Sequence, residues 1–373
     1  MLLDNCFDPD IRVYKEAKYL VENGKAVEIV CLDKKNKYID KPEEIIDGIL
    51  VKRFFVRTEK TTKFIENNRI GKAFKPIVYI HWLLKFMRNV RKYLKTQDYT
   101  TIHCHDITMA LCATHYIKHK DIVFDMHEYY ERYTKSFLNK IMHKLVTYVQ
   151  NKSKWIIHVN EFQIRNISIK NKNKLIELPN YPETEFFKNV NKTLCDKLRV
   201  SYIGVVRDYM SLNRLLECDF KEKIDVKIYG GGSAYNMLLN KAKKINKEFI
   251  LKGQYNGIEE SNIIYSNTDV LYAVYDRENK NWKTAMPIKA FEAIITLTPI
   301  IATNGTSLGD FVEKNDIGYT INNNSNDEVF NLINEIYNNR NILNEKIENM
   351  KKIQYKYTWN NCVKNLNKIY EKV

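Results

Sequence analysis

The chain has 373 residues, of which 44% are hydrophobic and 28% charged, a composition that excludes a disordered or fibrous class. Its length predicts two domains, each large enough to bury a hydrophobic core. Lysine and arginine number 60 against 45 acidic residues, and the net charge of +15 favours an anionic partner. That partner could be nucleic acid, a phosphorylated substrate or an anionic membrane; a solvated basic surface is the alternative.

Cysteine usage and the N-terminal residues indicate the compartment. The seven cysteines are odd in number and include no CxxC pair, which argues against a disulfide framework and against a zinc site. Met1-Leu2-Leu3 is followed directly by Asp4, so we expect no signal peptide. No apolar run reaches the roughly 18 residues that a membrane span needs. These features predict a cytoplasmic protein, either free or peripheral on the inner face of the cell membrane.

The first half of the chain alternates strands and helices. It opens with a strand stub at 1–3, a helix capped by Asp10, a helix stop at Gly24 and a strand at 26–31. Further strands are predicted at 49–56, 101–104, 122–126 and 155–159, with helices at 77–94, 108–117 and 135–150. Strands that alternate with helices predict a parallel sheet covered on both faces.

A stiff segment, Leu178-Pro-Asn-Tyr-Pro182, interrupts this alternation, and we interpret it as a linker. Strands are then predicted at 200–206, 226–229, 249–252, 270–274 and 299–302, followed by a helical tail that includes 359–370. The sequence predicts two doubly wound α/β domains facing a central cleft: 1–180 joined by a C-terminal helix at 358–373, and 181–357. Ligands of such sheets bind outside the carboxyl ends of the strands.

Three features of the second half suit a diphosphate. Arg207 follows a predicted strand, where a guanidinium can fork onto phosphate oxygens; a surface arginine is the alternative. Tyr229-Gly-Gly-Gly-Ser233 lies between a strand and a helix, where glycines let the backbone approach a phosphate, although a plain tight turn has the same pattern. Lys289 and Glu292 share one helical face, suited to phosphate and to ribose hydroxyls; a surface ion pair is the alternative.

Two histidine motifs end predicted strands of the first half, His103-Cys-His-Asp106 and Asp125-Met-His-Glu128. Both therefore project toward one edge of the sheet. His105 and His127 are candidates for contacting an acceptor hydroxyl. Histidine and carboxylate side chains are also metal ligands, but spacing alone does not show that they converge, and we predict no metal.

The segment 57–95 carries eleven Lys or Arg residues against Glu59 and Glu66, and it also contains six aromatic residues. A basic aromatic helix suits an anionic membrane surface. A helix that packs its aromatic side chains on the sheet with its lysines outward has the same composition, and both interpretations stay open.

Taken in order, these pieces resemble family 4 glycosyltransferases (glycosyl transferases group 1), whose GT-B fold has two Rossmann-like domains facing a central cleft. Asp10-Ile-Arg-Val-Tyr-Lys-Glu-Ala17 resembles the first helix of that family, although no glycine-rich turn precedes it. The histidine motifs, Tyr202-Ile-Gly204, the glycine run at 228–232 and the Pro-x-Lys-x-Phe-Glu-Ala stretch at 287–293 resemble its acceptor and donor motifs. The similarity covers nearly the whole chain.

The resemblance implies a retaining transferase that moves a sugar from a UDP- or GDP-linked donor to a saccharide or lipid-linked acceptor. It places such an enzyme in bacterial surface polysaccharide biosynthesis (capsule, O-antigen or exopolysaccharide), without a cofactor, an obligatory metal or nucleic acid. His127 and Glu292 would be catalytic. The donor-binding residues that it implies are Arg207, Lys289, Glu292, Gly204, Gly231 and Gly232. The acceptor-side residues that it implies are Arg12, His105, Asp106 and Glu128.

Two positions depart from the family pattern. Thr284 stands where the family often has a glutamate, and Met210 and Ser211 stand where a second basic residue often follows Arg207. Three alternatives therefore stay open: a sugar-nucleotide epimerase of the same fold, a non-catalytic partner subunit, and a basic nucleic-acid-binding protein, for which the sequence contains no recognition motif.

Overall fold

The computed structural model describes residues 1–8, 10–56, 75–117, 121–127, 130, 137–165, 167–193, 195–220, 222–257 and 259–371. The chain divides into two compact units, one of Met1–Pro179 with Val363–Val373 and the other of Asn180–Cys362. The return to the first unit thus begins at Val363, whereas we expected it from residue 358. Residues 358–362 belong to the second unit, where the Trp359 amide donates to the Pro182 carbonyl at 2.9 Å.

The first unit contains a sheet of short strands. They are β1 (Leu2–Leu3), β2 (Glu28–Asp33), β3 (Glu43–Ile46), β4 (Ile49–Phe55), β5 (Ile102–His105), β6 (Ile122–Met126), β7 (Trp155–His158) and β8 (Leu175–Glu177). Their order in the sheet is β3-β4-β2-β1-β5-β6-β7-β8. All neighbours are parallel except the edge strand β3, which is antiparallel to β4. The direction of strand succession reverses between β1 and β5, which defines a topological switch point.

Helices cover both faces of this sheet. They are α1 (Ile11–Glu22), α2 (Lys75–Leu94), α3 (Asp106–Cys112), a π-helical turn (Ala113–Ile117), α4 (Phe137–Lys152) and short 3₁₀ turns at Glu161–Ile164 and Ile169–Lys174. Successive residues of β2 point to opposite faces, so Ile29 packs in one cluster with α1, and Val30 packs in another with α2, α3 and α4. The predicted capping role of Asp10 is confirmed, since its side chain accepts from the Val13 amide.

The second unit contains a parallel sheet. Its strands are β9 (Leu198–Ile203), β10 (Ile224–Tyr229), β11 (Leu251–Gly253), β12 (Val270–Ala273), β13 (Ile300–Thr303) and β14 (Gly318–Ile321), in the order β11-β10-β9-β12-β13-β14. The direction of succession reverses between β9 and β12. The carboxyl ends of these two strands therefore flank the crevice where an open α/β sheet binds its ligand.

Helices alternate with these strands. In chain order they are α5 (Tyr209–Glu217), α6 (Tyr235–Lys244), α7 (Ser261–Ser266), α8 (Lys280–Lys283), α9 (Ile288–Ile295), α10 (Ser307–Asn315), α11 (Asn326–Asn338), α12 (Ile342–Ile353) and α13 (Trp359–Cys362). The 3₁₀ turns are Thr184–Phe187, Glu248–Ile250, Gln354–Tyr357 and Val363–Leu366, and the last of these leads into α14 (Asn367–Tyr370) of the first unit. Of the helices described, none combines the length and the apolar character needed to cross a membrane.

Candidate donor and acceptor sites

Two glycine-containing loops meet at the switch point of the second sheet. The Val206 amide, after β9, donates to the Gly231 carbonyl, after β10, at 2.9 Å. A Cβ atom at Gly230 would lie 1.8 Å from the Gly204 carbonyl oxygen, and one at Gly232 would lie 2.3 Å from the Val206 oxygen. The φ angles of Gly230 and Gly232, 125° and 155°, also disfavour other residues. Glycine is required here by contact between two backbones and not only by a turn.

Asp208 fixes the loop that carries Arg207. Its buried carboxylate accepts from the Ser211 amide at 3.1 Å and hydroxyl at 2.6 Å, and from the Asp276 amide at 2.8 Å. The loop after β9 is thereby tied to the loop after β12, while the Arg207 side chain is exposed to solvent. Sequence reasoning singled out Arg207 and missed Asp208, although an Asp-x-x-Ser pattern before a helix is a capping signal.

Half-buried Lys289 and buried Glu292 form an ion pair on α9. The Lys289 Nζ lies 2.7 Å from Glu292 Oε2, and the Tyr265 hydroxyl donates to the same oxygen at 2.9 Å. The Tyr255 ring centroid lies 5.5 Å from Lys289 Nζ. Burial opposes the charge on Lys289, but Glu292 and Tyr255 outweigh burial and raise the pKa of the lysine. The pair is therefore largely shielded from solvent and held by two tyrosines, unlike the surface ion pair that the sequence left open.

Arg207 and Lys289 follow adjacent strands of the second sheet. Arg207 follows β9, and α9 with Lys289 follows β12, which pairs directly with β9 through Val200 and Val270. Because the two strands are parallel, their carboxyl ends lie at one edge of the sheet. The guanidinium, the ammonium and the two close-packed glycine loops thus follow strands whose carboxyl ends share one edge of the second sheet.

Asp125, at the end of β6, is the centre of a buried cluster in the first unit. Arg12 on α1 donates to both of its oxygens, from Nη2 to Oδ1 at 2.9 Å and from Nε to Oδ2 at 3.2 Å. The His127 Nε2 and His105 Nδ1 atoms lie 3.0 and 3.2 Å from Asp125 Oδ2. The structure thus brings two of the predicted acceptor-side residues, Arg12 and His105, and the predicted catalytic residue His127 onto one carboxylate.

The charge states of this cluster follow from burial and from its pairing. Burial opposes ionisation of Asp125, but Arg12 and His127 hold the pKa of its carboxyl well below the usual range. Burial also opposes charge on His127, yet Asp125 raises the pKa of that imidazole to about 9. Burial and neighbouring His103 lower the pKa of His105 well below its ordinary value. At neutral pH the cluster combines a carboxylate with two cations and a neutral imidazole.

Two further residues, Glu16 and Tyr370, extend this cluster through contacts with Arg12 and His103. Glu16 is fully buried on α1, one turn after Arg12, with Oε1 at 3.1 Å from Arg12 Nε and Oε2 at 3.5 Å from His103 Nε2. Burial and the charge of Asp125 raise the pKa of Glu16 well above its usual range. The Tyr370 hydroxyl, from α14, lies 2.8 Å from His103 Nδ1. Neither Glu16 nor Tyr370 was a candidate from the sequence, although the spacing of Arg12 and Glu16 places them on one helical face.

The donor atoms in this cluster are close enough together to raise the question of a metal. One atom each from Glu16, His103, His105 and Asp125 lies within 4.8 Å of the others. However, the Arg12 guanidinium lies against both carboxylates of this set. Its positive charge offsets theirs and disfavours a cation at the same place. The expectation that the chain needs no metal stays a prediction.

Asp106 lies beside the cluster, with Oδ2 at 3.8 Å from His127 Nδ1 and Oδ1 accepting from the Tyr130 hydroxyl at 2.7 Å. The remaining acceptor-side candidate, Glu128, lies outside the described residues, as does the 57–74 part of the basic aromatic segment.

Comparison with known proteins adds to this geometry. Residues 184–356 match the family model of glycosyl transferases group 1. The chain is similar to sucrose-phosphate synthase from Thermosynechococcus elongatus, with a TM-score of 0.72 and 14% identity over 100% of this chain and 98% of the other. It is similar to Anabaena HepE in complex with UDP, with a TM-score of 0.67 and 12% identity over 100% of this chain and 99% of the other. It is also similar to the apo form of the lipopolysaccharide outer core galactosyltransferase WaaB, with a TM-score of 0.59 and 14% identity over 100% of both chains. A search of curated proteins finds no match.

The two parallel-sheet α/β units and these structural likenesses define the GT-B class, which confirms the predicted fold. The matched segment spans most of the second unit, which therefore contains a glycosyl transferases group 1 domain, and this domain supports the glycosyltransferase that the sequence resemblance predicted.

Proposed function

We propose that this glycosyltransferase moves a sugar from a UDP- or GDP-linked donor to a saccharide or lipid-linked acceptor, with retention at the anomeric carbon. The observation that supports the donor assignment best is the Lys289–Glu292 ion pair on α9, the helix that precedes β13. A half-buried lysine that keeps its charge suits a diphosphate, and a buried carboxylate beside it suits the ribose hydroxyls. HepE was solved with UDP, which agrees with a nucleotide-linked donor.

On the donor side, the glycine loops and Arg207 complete the proposed contacts. The glycines of the two loops, Gly204, Gly231 and Gly232, put no side chain between the backbone and a phosphate, and Arg207 supplies a second cation. As the bond to the sugar breaks, negative charge grows on the departing diphosphate. Fixed cations that meet this charge stabilise the transition state, and we propose that they do so without an obligatory metal.

On the acceptor side, we propose that His127 acts near the reacting sugar as a cation and hydrogen-bond donor. Its pKa of about 9 means that it keeps its proton at neutral pH and is therefore unsuited to act as a general base. Asp125 and Arg12 hold it in place. The role in surface polysaccharide synthesis is proposed on the likeness to WaaB, a named lipopolysaccharide galactosyltransferase.

The test is a screen of UDP- and GDP-sugars by thermal shift and by transfer to saccharide acceptors, with and without EDTA. Glu292→Gln should reduce transfer by about 10- to 100-fold, the scale of losing hydrogen bonds between the ribose hydroxyls and a charged group. Glu348→Gln is the matched control, because Glu348 also pairs with a lysine three residues away but is exposed to solvent. Equal activity of Glu292→Gln and the control would remove Glu292 from the site.

Each of the alternative functions predicts a different result in the same screen. A donor sugar that changes configuration without any acceptor would indicate an epimerase. Nucleotide binding with no turnover would indicate a partner subunit, and failure to bind any nucleotide would contradict the proposed function. Loss of transfer in EDTA would contradict the metal-independent mechanism.

A further inference from the structure

The helix α2 presents apolar side chains to solvent. Ile77, Ile80 and Leu84 are 39 to 60% exposed, and their spacing places them on one side of the helix. The opposite side of α2 is buried against the sheet through Phe86 and Val90. Three large aliphatic side chains in one exposed stripe are more than the scattered single residues that a solvent-facing helix normally shows.

The helix α4 has a second stripe of the same kind. Ile141, Leu145 and Tyr148 are 37 to 39% exposed and lie on one side, while Val146 and Val149 are buried. Both helices pack in the same hydrophobic cluster, on the same face of the first sheet. Their exposed stripes therefore point away from one face of the unit, and we call these two stripes with the exposed basic residues beside them the α2–α4 face.

The charge of this face has a single sign. Neither α2 nor α4 contains an aspartate or a glutamate. On α2 the exposed stripe continues into a second half that carries Arg88, Arg91 and Lys92, and on α4 Lys140 and Lys144 flank the apolar stripe. Aliphatic side chains bordered by basic ones, without acidic ones, match the interface between headgroups and acyl chains of an anionic bilayer.

The apolar end of α2 lies at the same edge of the sheet as the buried histidine cluster. The Tyr79 hydroxyl donates to Asp4, just after β1, at 2.8 Å. At the other end of the helix, the Tyr93 hydroxyl donates to Glu28, at the start of β2, at 2.6 Å. The 77–84 stripe therefore lies toward the carboxyl ends of the strands, where β6 leads to His127.

We propose that the α2–α4 face docks peripherally on an anionic lipid bilayer. Lipid fits better than nucleic acid because aliphatic stripes offer neither hydrogen bonds nor a stacking surface to bases, whereas they can insert among acyl chains. A second copy of the chain fits less well because two faces of the same positive sign would repel. Docking would bring the acceptor-side edge of the first unit to the membrane and select lipid-carried acceptors. That last consequence rests on the proposed function; the docking does not.

The test is sedimentation of the full chain with vesicles of phosphatidylcholine alone and of phosphatidylcholine mixed with phosphatidylglycerol. The face variants are Ile80→Ser with Leu145→Ser, and Arg88→Gln with Lys144→Gln. The matched control is Ile263→Ser with Lys244→Gln, which changes an exposed isoleucine and an exposed lysine of the second unit. We expect binding to the mixed vesicles only, weakened by salt, and a loss of roughly tenfold or more in each face variant but not in the control.

Several results would overturn the proposal. These are no binding to anionic vesicles at low salt, face variants that bind as the wild type does, and tight salt-dependent binding to RNA or DNA that vesicles do not displace. Self-association seen by light scattering and abolished by Ile80→Ser with Leu145→Ser would assign the face to a second copy instead. Nucleotide binding should be the same in wild type and face variants, so a failure of docking can be told apart from a failure of the proposed transfer function.

Discussion

Replacing Asp125 by asparagine should remove the proton from His127 at neutral pH. In the native cluster the pKa of His127 is about 9, because the Asp125 carboxylate, 3.0 Å away, outweighs the burial that opposes the charge. Without that carboxylate, burial and the positive charge of Arg12 act together against the imidazolium. The pKa of His127 should then fall to its ordinary value of 6.5 or below.

The size of the effect follows from the shift. A rise from 6.5 to about 9 corresponds to about 3 kcal/mol in favour of the protonated form, at 1.36 kcal/mol per pKa unit. Because the folded state holds this proton more tightly than the unfolded state, the contribution to the free energy of unfolding is complete below pH 6.5. It is lost as the pH rises through about 9. Only 17% of the His127 side chain is exposed, so solvent screens the pair weakly.

The pKa is measured from the histidine ring signals in NMR spectra recorded from about pH 5 to about pH 10. Asp106→Asn is the matched control, since that carboxylate is 3.8 Å from the other ring nitrogen and should lower the pKa of His127 less. Urea unfolding across the same range should show the wild type losing stability between pH 6.5 and about 9 and Asp125→Asn losing much less. Titration of wild-type His127 near 6.5 would refute the reasoning even if Asp125→Asn did not fold.

Three further substitutions test other contacts. Gly230→Ala should destabilise the second unit by about 3 kcal/mol or more in urea unfolding, because the new Cβ would lie 1.8 Å from a carbonyl oxygen. The control is Gly24→Ala, which has a positive φ but open space around it and should cost only about 1 kcal/mol. Tyr265→Phe removes the 2.9 Å hydrogen bond to Glu292, and it should lower the free energy of unfolding by about 1–3 kcal/mol. It should also weaken nucleotide binding measured by calorimetry, and unchanged binding would argue against a role of Tyr265 in positioning Glu292. Tyr370→Phe removes the hydroxyl that is hydrogen-bonded to buried His103, which should lower the free energy of unfolding by about 1 kcal/mol and the melting temperature by a few degrees. An unchanged melting temperature would mean that this hydrogen bond does not stabilise the fold.

The alternation of strands and helices was predictable because short sequence patterns, such as capping residues and apolar runs, specify it. Asp10 marks a helix start, and most of the described strands coincide with short apolar runs. The strands β3, β8 and β14 were missed. Glu-Glu-Ile-Ile in β3 has no period-two pattern of apolar residues, and none of its four side chains is fully buried. The strands β8 (Leu-Ile-Glu) and β14 (Gly-Tyr-Thr-Ile) lack the continuous apolar run by which the other short strands were recognised.

The candidate sites were predictable only where their members are close in sequence. Lys289 and Glu292 are three apart on one helix, and the histidine motifs follow strands that were recognised. Arg12 and Asp125 are separated by 113 residues, and His103 and Tyr370 by 267. Such contacts depend on how distant segments pack, and no local pattern in a single sequence specifies them. Of the long-range partners, Tyr370 in particular carried no signal beyond its place in a C-terminal helix.

The division of the first unit into two chain segments has a consequence for synthesis on the ribosome. Residues 1–179 emerge long before 363–373, which supply the buried side chains of Val363, Leu366 and Ile369 and the tyrosine that meets His103. The second unit can complete its sheet during this delay, since domains fold as they emerge. The N-terminal segment cannot complete its hydrophobic core until residues 363–370 have been translated. A nascent chain interrupted before residue 363 therefore leaves apolar surface of the first unit exposed to chaperones and proteases.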